Sequence, residues 1–192
     1  MSILFSDNQS GFTPRKSYLQ PVRIGRHNIM TWPAFMTLKG ESQGTIDGSC
    51  DVKDLKDTIE IFAFDHVVEL PRSRDMGLPT GRRVHLDITV SKEIDKSTPK
   101  LYKALCDREK LTEVIFSWYR PDGETGGRDN YYTVRLEDAV ITRISPCAPH
   151  RLDPSNVTQK FMENVSFAYE KIIWTYEPDG IEHEDMWVAP EE

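Results

Sequence analysis

Apolar positions recur along this chain with a period of two. In residues 58–70, Phe62, Phe64, His66, Val68 and Leu70 share one side of an extended chain, and in residues 84–91, Val84, Leu86, Ile88 and Val90 alternate with His85, Asp87, Thr89 and Ser91. Such alternation marks strands with one face in a core. Residues 111–120 and 131–136 are rich in β-branched and aromatic side chains, and the turn formers PDGETGGRDN between them predict a hairpin. Residues 139–144 and 165–176 add further strands, and residues 35–38 with Ile46 add weaker ones. The segment STPKLYKALCDREK alone has helical spacing. Ser97 or Thr98 is placed to cap it, Pro99 suits a first turn, and Leu101 with Leu105 and Tyr102 with Cys106 form i, i+4 pairs. Six or more strands with one helix predict a mainly β fold, an antiparallel sandwich or barrel. The predicted core includes Phe64, Val68, Leu86, Ile88, Leu101, Leu105 and Trp118.

Two stretches fall outside this pattern. Residues 1–33 hold Pro14, Pro21 and Pro33 with little periodicity and are expected to form an extended or flexible arm, leaving residues 34–192 as one domain with an acidic C-terminal tail. Residues 71–83, PRSRDMGLPTGRR, separate two predicted strands, whereas hairpin connections take roughly 2 to 5 residues. This segment carries Arg72, Arg74, Arg82 and Arg83 against Asp75, so it is +3 in a chain whose net charge is −7, leaving −10 for the rest. From Glu177 onward the chain has seven acidic residues and no Lys or Arg. A basic loop and an acidic end can attract within one chain or steer one copy onto the next, while the tail can also be a solvated terminus.

The usual catalytic and ligand motifs are incomplete. Cys50, Cys106 and Cys147 are odd in number and widely spaced, so a disulfide framework is not expected. Cys147 and His150 have a metal-like spacing but lack a second pair. Ser97 to Lys100 spells S-x-x-K without its companion elements, and capping accounts for Ser97. His66 and His85, beside Asp65 and Asp87, have the chemistry of acid-base residues but no third element; structural hydrogen bonds are the expected role. The Glu182, Glu184, Asp185 cluster lacks the spacing of a calcium loop and reads as solvated. One basic loop on an acidic chain does not suit nucleic acid. No apolar run approaches the roughly 18 residues that span a bilayer, and no Sec-type signal is visible at the N-terminus, so synthesis and folding are expected to be cytoplasmic. No enzyme activity or cofactor is expected.

The segments FDHVVELPRSRDMGLPTGRRVHLDITVSKEIDKSTPKLYKAL, LTEVIFSWYRP and ENVSFAYEKIIW, with KGESQGTIDGS before them, resemble the haemolysin co-regulated protein (Hcp) family of the bacterial type VI secretion system over roughly residues 34–187. The resemblance implies a compact β-barrel of two antiparallel sheets with one flanking α-helix. It also implies hexameric rings that stack head to tail into an inner tube. A contractile sheath drives that tube out under a valine-glycine-repeat spike protein, some effectors travel in its lumen, and the subunit is secreted without a signal peptide. A long loop of this kind is implicated there in contact between rings. Arg72, Arg74, Asp75, Arg82 and Arg83 are therefore the expected stacking residues, with Pro71, Pro79 and Gly81 shaping the loop. Trp118 or Tyr119, and Trp174 or Tyr176, are candidates for lateral contacts. Members begin near Thr31, which makes Met30 a candidate start and the arm either upstream sequence or a decoration of the ring. The rival reading is a monomeric barrel that binds a small ligand.

Overall fold

The strand-forming stretches of the computed structural model pair into one curved antiparallel sheet. Residues 33–73, 77–121, 127–150, 152 and 160–187 are described. The chain divides into Met1–Met30 and Thr31–Glu192, and all described residues belong to the second unit; the arm expected over residues 1–33 lies, but for Pro33, outside them. The strands are β1 (Ala34–Gly40), β2 (Gly44–Thr45), β3 (Ile59–Asp65), β4 (Val68–Glu69), β5 (Val84–His85), β6 (Ile88–Glu93), β7 (Leu111–Pro121), β8 (Arg128–Cys147), β9 (Met162–Ala168), β10 (Lys171–Tyr176) and β11 (Ile181–Met186), and the helix α1 is Thr98–Asp107. The order across the sheet is β11, β10, β8, β7, β1, β3, β6, β9, and β9 pairs back onto β8. Six strands thus close a barrel, which removes their open edges.

β8 is 20 residues long because it joins the two strands expected at 131–136 and 139–144. It has β7 on one edge, and the chain from β9 into β10 runs along its other edge, Met162 opposite Cys147 and Tyr176 opposite Tyr132. The predicted strand over 165–176 is therefore a continuous neighbour of β8, interrupted at Tyr169 and Glu170. At that break the sheet forks: β9 goes on to β6 and closes the barrel, while β10 goes on to β11. On β8 the fork faces Asp138, which has φ of 54°, a left-handed conformation that Asp tolerates better than most residues.

Side chains fill the barrel. Met36, Ile59, Ile88, Phe116, Leu136 and Phe167 have no more than 1% exposure, and Phe116 meets Phe167 edge to face with centroids 6.0 Å apart. Each such burial contributes roughly 1.5–3 kcal/mol relative to exposure. Of the predicted core, Ile88 and Leu101 are fully buried, and Phe64, Leu105 and Trp118 pack on the core from its margin. Val68 and Leu86 are exposed, contrary to expectation. Two events break the assumed alternation. Ile61 pairs with Lys92 and Ala63 with Ser91, so Phe62 is the extra residue of a bulge and points to solvent while Ile59 and Ile61 face the core. In addition, the chain leaves the barrel after β3 and returns before β6, so Val68, Leu70, Val84 and Leu86 belong to a separate ribbon and His85 is the buried residue there.

The helix begins at Ser97, but no cap hydrogen bond forms. The Ser97 hydroxyl donates to Asp95 Oδ1 instead, and the Thr98 hydroxyl donates to Glu163 Oε1 at 2.7 Å. Lys92 and Glu163 are cross-strand partners, both wholly buried, with Nζ 2.7 Å from Oε1; Nζ also reaches Asp95 Oδ1 at 2.9 Å and the Glu93 carbonyl at 2.8 Å. A second carboxylate, Glu109, ties the turn between β1 and β2. It accepts from Ser42 N (2.9 Å), Gln43 N (2.8 Å) and Gln43 Nε2 (2.6 Å). A Cβ on Gly40 would fall 2.4 Å from Glu109 Oε1, so a larger residue there would push the carboxylate away from the turn it holds. Burial raises the carboxyl's affinity for a proton, and the hydrogen bonds from Gln43 and Ser42 outweigh it, holding the pKa down to about 2.

Two stability changes are expected. Lys92→Met leaves Glu163 and Asp95 without their cation and should cost about 3–5 kcal/mol in urea unfolding, whereas Lys92→Met with Glu163→Leu should recover most of it. An equal loss in the double variant would contradict the account. Because the Glu109 pKa is depressed on folding, its contribution is complete above 4.5 and disappears as pH falls toward about 2. Glu109→Gln should flatten the melting-temperature profile across that window.

Candidate stacking interface

The basic connection is an ordered β-ribbon for most of its length. Val68 pairs with His85 and Glu69 with Val84, and Leu86 N donates to the Val67 carbonyl at 3.0 Å. Beyond them Thr80 N donates to the Pro71 carbonyl, Ser73 N to Leu78 and Gly77 N to Ser73, each at 2.9 Å, and Arg72 bridges Pro79. Gly77 has φ of 66°, which a residue without Cβ adopts at no steric cost. Backbone groups that a structureless loop would leave to solvent are thus satisfied within the ribbon at the described residues 71–73 and 77–80.

The five expected stacking residues separate into three groups. Arg72 and Arg82 are exposed and form no ion pair among the described residues. Arg74 and Asp75 lie outside the described residues. Arg83 is engaged at the ribbon's base: Nε and Nη2 both donate to the Asp185 carboxylate, and Nη2 reaches the Met186 carbonyl at 3.3 Å. In the described part of the acidic tail Glu182 and Glu184 are solvent-exposed, as expected, whereas Asp185 is half-buried. The tail forms a short 3-10 turn at Glu177–Asp179 and then the strand β11, whose Asp185 binds the basic segment within one chain. Glu184 pairs with Lys171 at 2.8 Å and Glu182 accepts from the Thr175 hydroxyl at 3.1 Å.

His66 and His85 are tied into the same clamp. His85 Nε2 lies 3.1 Å from Asp185 Oδ2, His85 Nδ1 lies 2.8 Å from the Tyr169 hydroxyl, and that hydroxyl lies 2.8 Å from His66 Nε2. A carboxylate only accepts, so His85 donates from Nε2; in the neutral ring Nδ1 then accepts from the Tyr169 hydroxyl, whose oxygen is left to accept from His66 Nε2. Rings close around the chain: Trp187 lies 5.9 Å from His85 and 5.3 Å from Tyr169, and Trp174 stacks between His66 and His183. Burial raises the Asp185 carboxyl, and bonds from Arg83, the Met186 amide and His85 outweigh it, placing it below the usual carboxylate range. Burial and the neighbouring His85 lower His66, and burial with the Asp185 and Asp87 charges raises Tyr169. Both histidines are hydrogen-bonded within this one network. Tyr169 and Trp187 are not singled out by the sequence, and Asp185 is read there only as part of a solvated acidic cluster; the charge asymmetry between loop and tail is the one signal of its role.

Of the aromatic candidates for lateral contact, Trp118 packs edge to face on Phe64 at 4.9 Å and Tyr119 on Phe35 at 5.7 Å. Tyr176 is exposed. What remains available on the ribbon is a pair of guanidinium groups beside the exposed side chains of Val67, Leu70, Leu78 and Val84, a surface suited to carboxylates and apolar contact.

Comparison with known proteins bears on this geometry. The model of the family described as type VI secretion system effector, Hcp, matches residues 35–176. A protein of Pseudomonas aeruginosa described as major exported protein is 36% identical over 170 residues, covering 84% of this chain and 98% of its own. A structure titled Hcp protein superposes with a TM-score of 0.76 at 30% identity, covering 83% of this chain and all of its own. A variant of Hcp1 from the E. coli EAEC 042 pathovar gives 0.74 at 33% identity, with 82% of this chain and all of its own covered. On the extent of these matches and the shared barrel, the chain belongs to the Hcp family of type VI secretion proteins.

Proposed function

We propose that this chain is the repeating subunit of a type VI inner tube, a structural protein that is exported and not an enzyme. Six copies close into a ring, and rings stack head to tail through the basic ribbon. The observation that carries this reading is the ribbon itself: an internally hydrogen-bonded, clamped segment whose exposed Arg72 and Arg82 form no ion pair among the described residues, on a member of the Hcp family. Groups with unmet pairing and apolar neighbours, held rigid, suit a docking element, because little conformational freedom is lost when it binds. The partners that follow are further copies of the chain, the valine-glycine-repeat spike protein, the contractile sheath and effectors carried in the ring's lumen. The alternative, a monomeric barrel holding a small ligand, finds no support in the described interior, where Met36, Phe116, Leu136 and Phe167 occupy the space a ligand would need.

Analytical ultracentrifugation at moderate salt, with electron microscopy of the main species, tests the assembly; a monomer persisting through micromolar concentrations would overturn it. Arg72→Glu with Arg82→Glu should leave rings intact and reduce stacked tubes, and raising the salt should act in the same direction. Unchanged tubes would remove the role given to those arginines. Asp185→Asn weakens the clamp on Arg83. It should speed amide exchange at Leu86 and Thr80, whose N–H groups bond inside the ribbon, while exchange at barrel residues such as Phe116 stays slow.

A further inference from the structure

A second exposed apolar surface lies at the far end of the strands from which the ribbon departs. Phe62, the bulged residue of β3, is 52% exposed, and Ile94, just past β6, is 43% exposed. Phe161, whose carbonyl accepts from Ile94 N at 3.0 Å, is 53% exposed. Phe62 and Ile94 line a groove of about 250 Å³ together with Glu60, Glu93 and Asp95. That volume falls below the roughly 300–1,000 Å³ of small-molecule sites. A groove lined by two large apolar side chains and three carboxylates suits a protruding apolar side chain flanked by cations. Glu93 is held by Lys160 at 2.5 Å and Asp95 by Lys92, whereas Glu60 forms no ion pair among the described residues.

Register fixes where the two surfaces lie. Asp65 pairs with Thr89 and Ile88 with Phe167 at the end where the ribbon leaves, while Ile61 pairs with Lys92 and Glu93 with Met162 at the end where the groove opens. The separation is about five residues, roughly 16 Å along the strands. Two unlike, complementary patches at opposite ends of one chain generate a head-to-tail contact, whereas like-to-like contact would set arginines against arginines. The acidic strand β11 is another surface of suitable charge. It lies beside the ribbon's own base, and its Asp185 and Glu184 are already held by Arg83 and Lys171.

We propose that the Phe62–Ile94 groove receives the basic ribbon of a second copy of this chain in the neighbouring ring. Leu78, 56% exposed near the ribbon's tip, lies against Phe62 and Ile94, and Arg72 or Arg82 meets Glu60. The inference rests on the tube reading and adds the acceptor to it.

The test combines charge exchange with cross-linking, in full-length protein. Glu60→Arg should leave rings intact by ultracentrifugation and lower the yield of stacked tubes several-fold under the microscope. Combining it with Arg72→Glu and Arg82→Glu should restore at least half of that loss. In a background with the three native cysteines replaced by Ser, Phe62→Cys with Leu78→Cys should give, on mild oxidation, covalent products spanning more than one ring. Tubes at the unmodified yield with Glu60→Arg would place the acceptor elsewhere and leave the tube reading intact. A defect not relieved by the exchange, with no cross-link, would likewise overturn the acceptor. Failure of the unmodified protein to form rings would overturn the tube reading itself, and the acceptor with it.

Discussion

The fork in the sheet is the constraint on which the other features depend. One edge of β8 accepts an almost unbroken neighbour from Met162 to Tyr176, and the interruption at Tyr169 and Glu170 lets that neighbour turn toward β6 on one side and β11 on the other. The barrel closes by the first route. By the second, an acidic strand is brought beside the place where the chain leaves the barrel between β3 and β6. Backbone bonds hold the junction: Glu170 N donates to the Glu137 carbonyl and Trp187 N to the Glu170 carbonyl.

Tyr169, at the break, converts this topology into a specific clamp. Its hydroxyl links the histidines on either side of the ribbon, and through His85 it reaches the same carboxylate that binds Arg83. A two-stranded ribbon by itself is marginally stable in water. Here a buried imidazole, an ion pair and surrounding indole rings fix its base. In the proposed tube this rigidity serves stacking, because a fixed projection meets an adjacent ring with its arginines already placed.

The charge distribution then divides by partner. Arg83 is consumed within the chain, Lys92 is consumed in the buried pair under the helix, and Arg72 and Arg82 remain outward. An acidic chain with one basic ribbon is therefore not uniformly self-repelling, because the ribbon sets local positive charge against the acidic remainder.

The amino-acid pattern alone determined the mainly β class, the hairpin of β7 and β8, the helix after β6 and the anomaly of residues 71–83, because these depend on local periodicity, turn formers and counted charge. It misplaced Val68 and Leu86, since a strand that leaves the barrel keeps its alternation while losing its core. It read the bulge at Phe62 as one more inward residue, since an added residue reverses the facing of its neighbours without altering composition. Only the tertiary structure decided that Arg83 differs from Arg72 and Arg82, and that His66, His85, Tyr169 and Asp185 form one network. Asp185 lies 102 residues from Arg83. Contacts over that span follow from how the sheet closes and forks, and no local window of sequence contains that information.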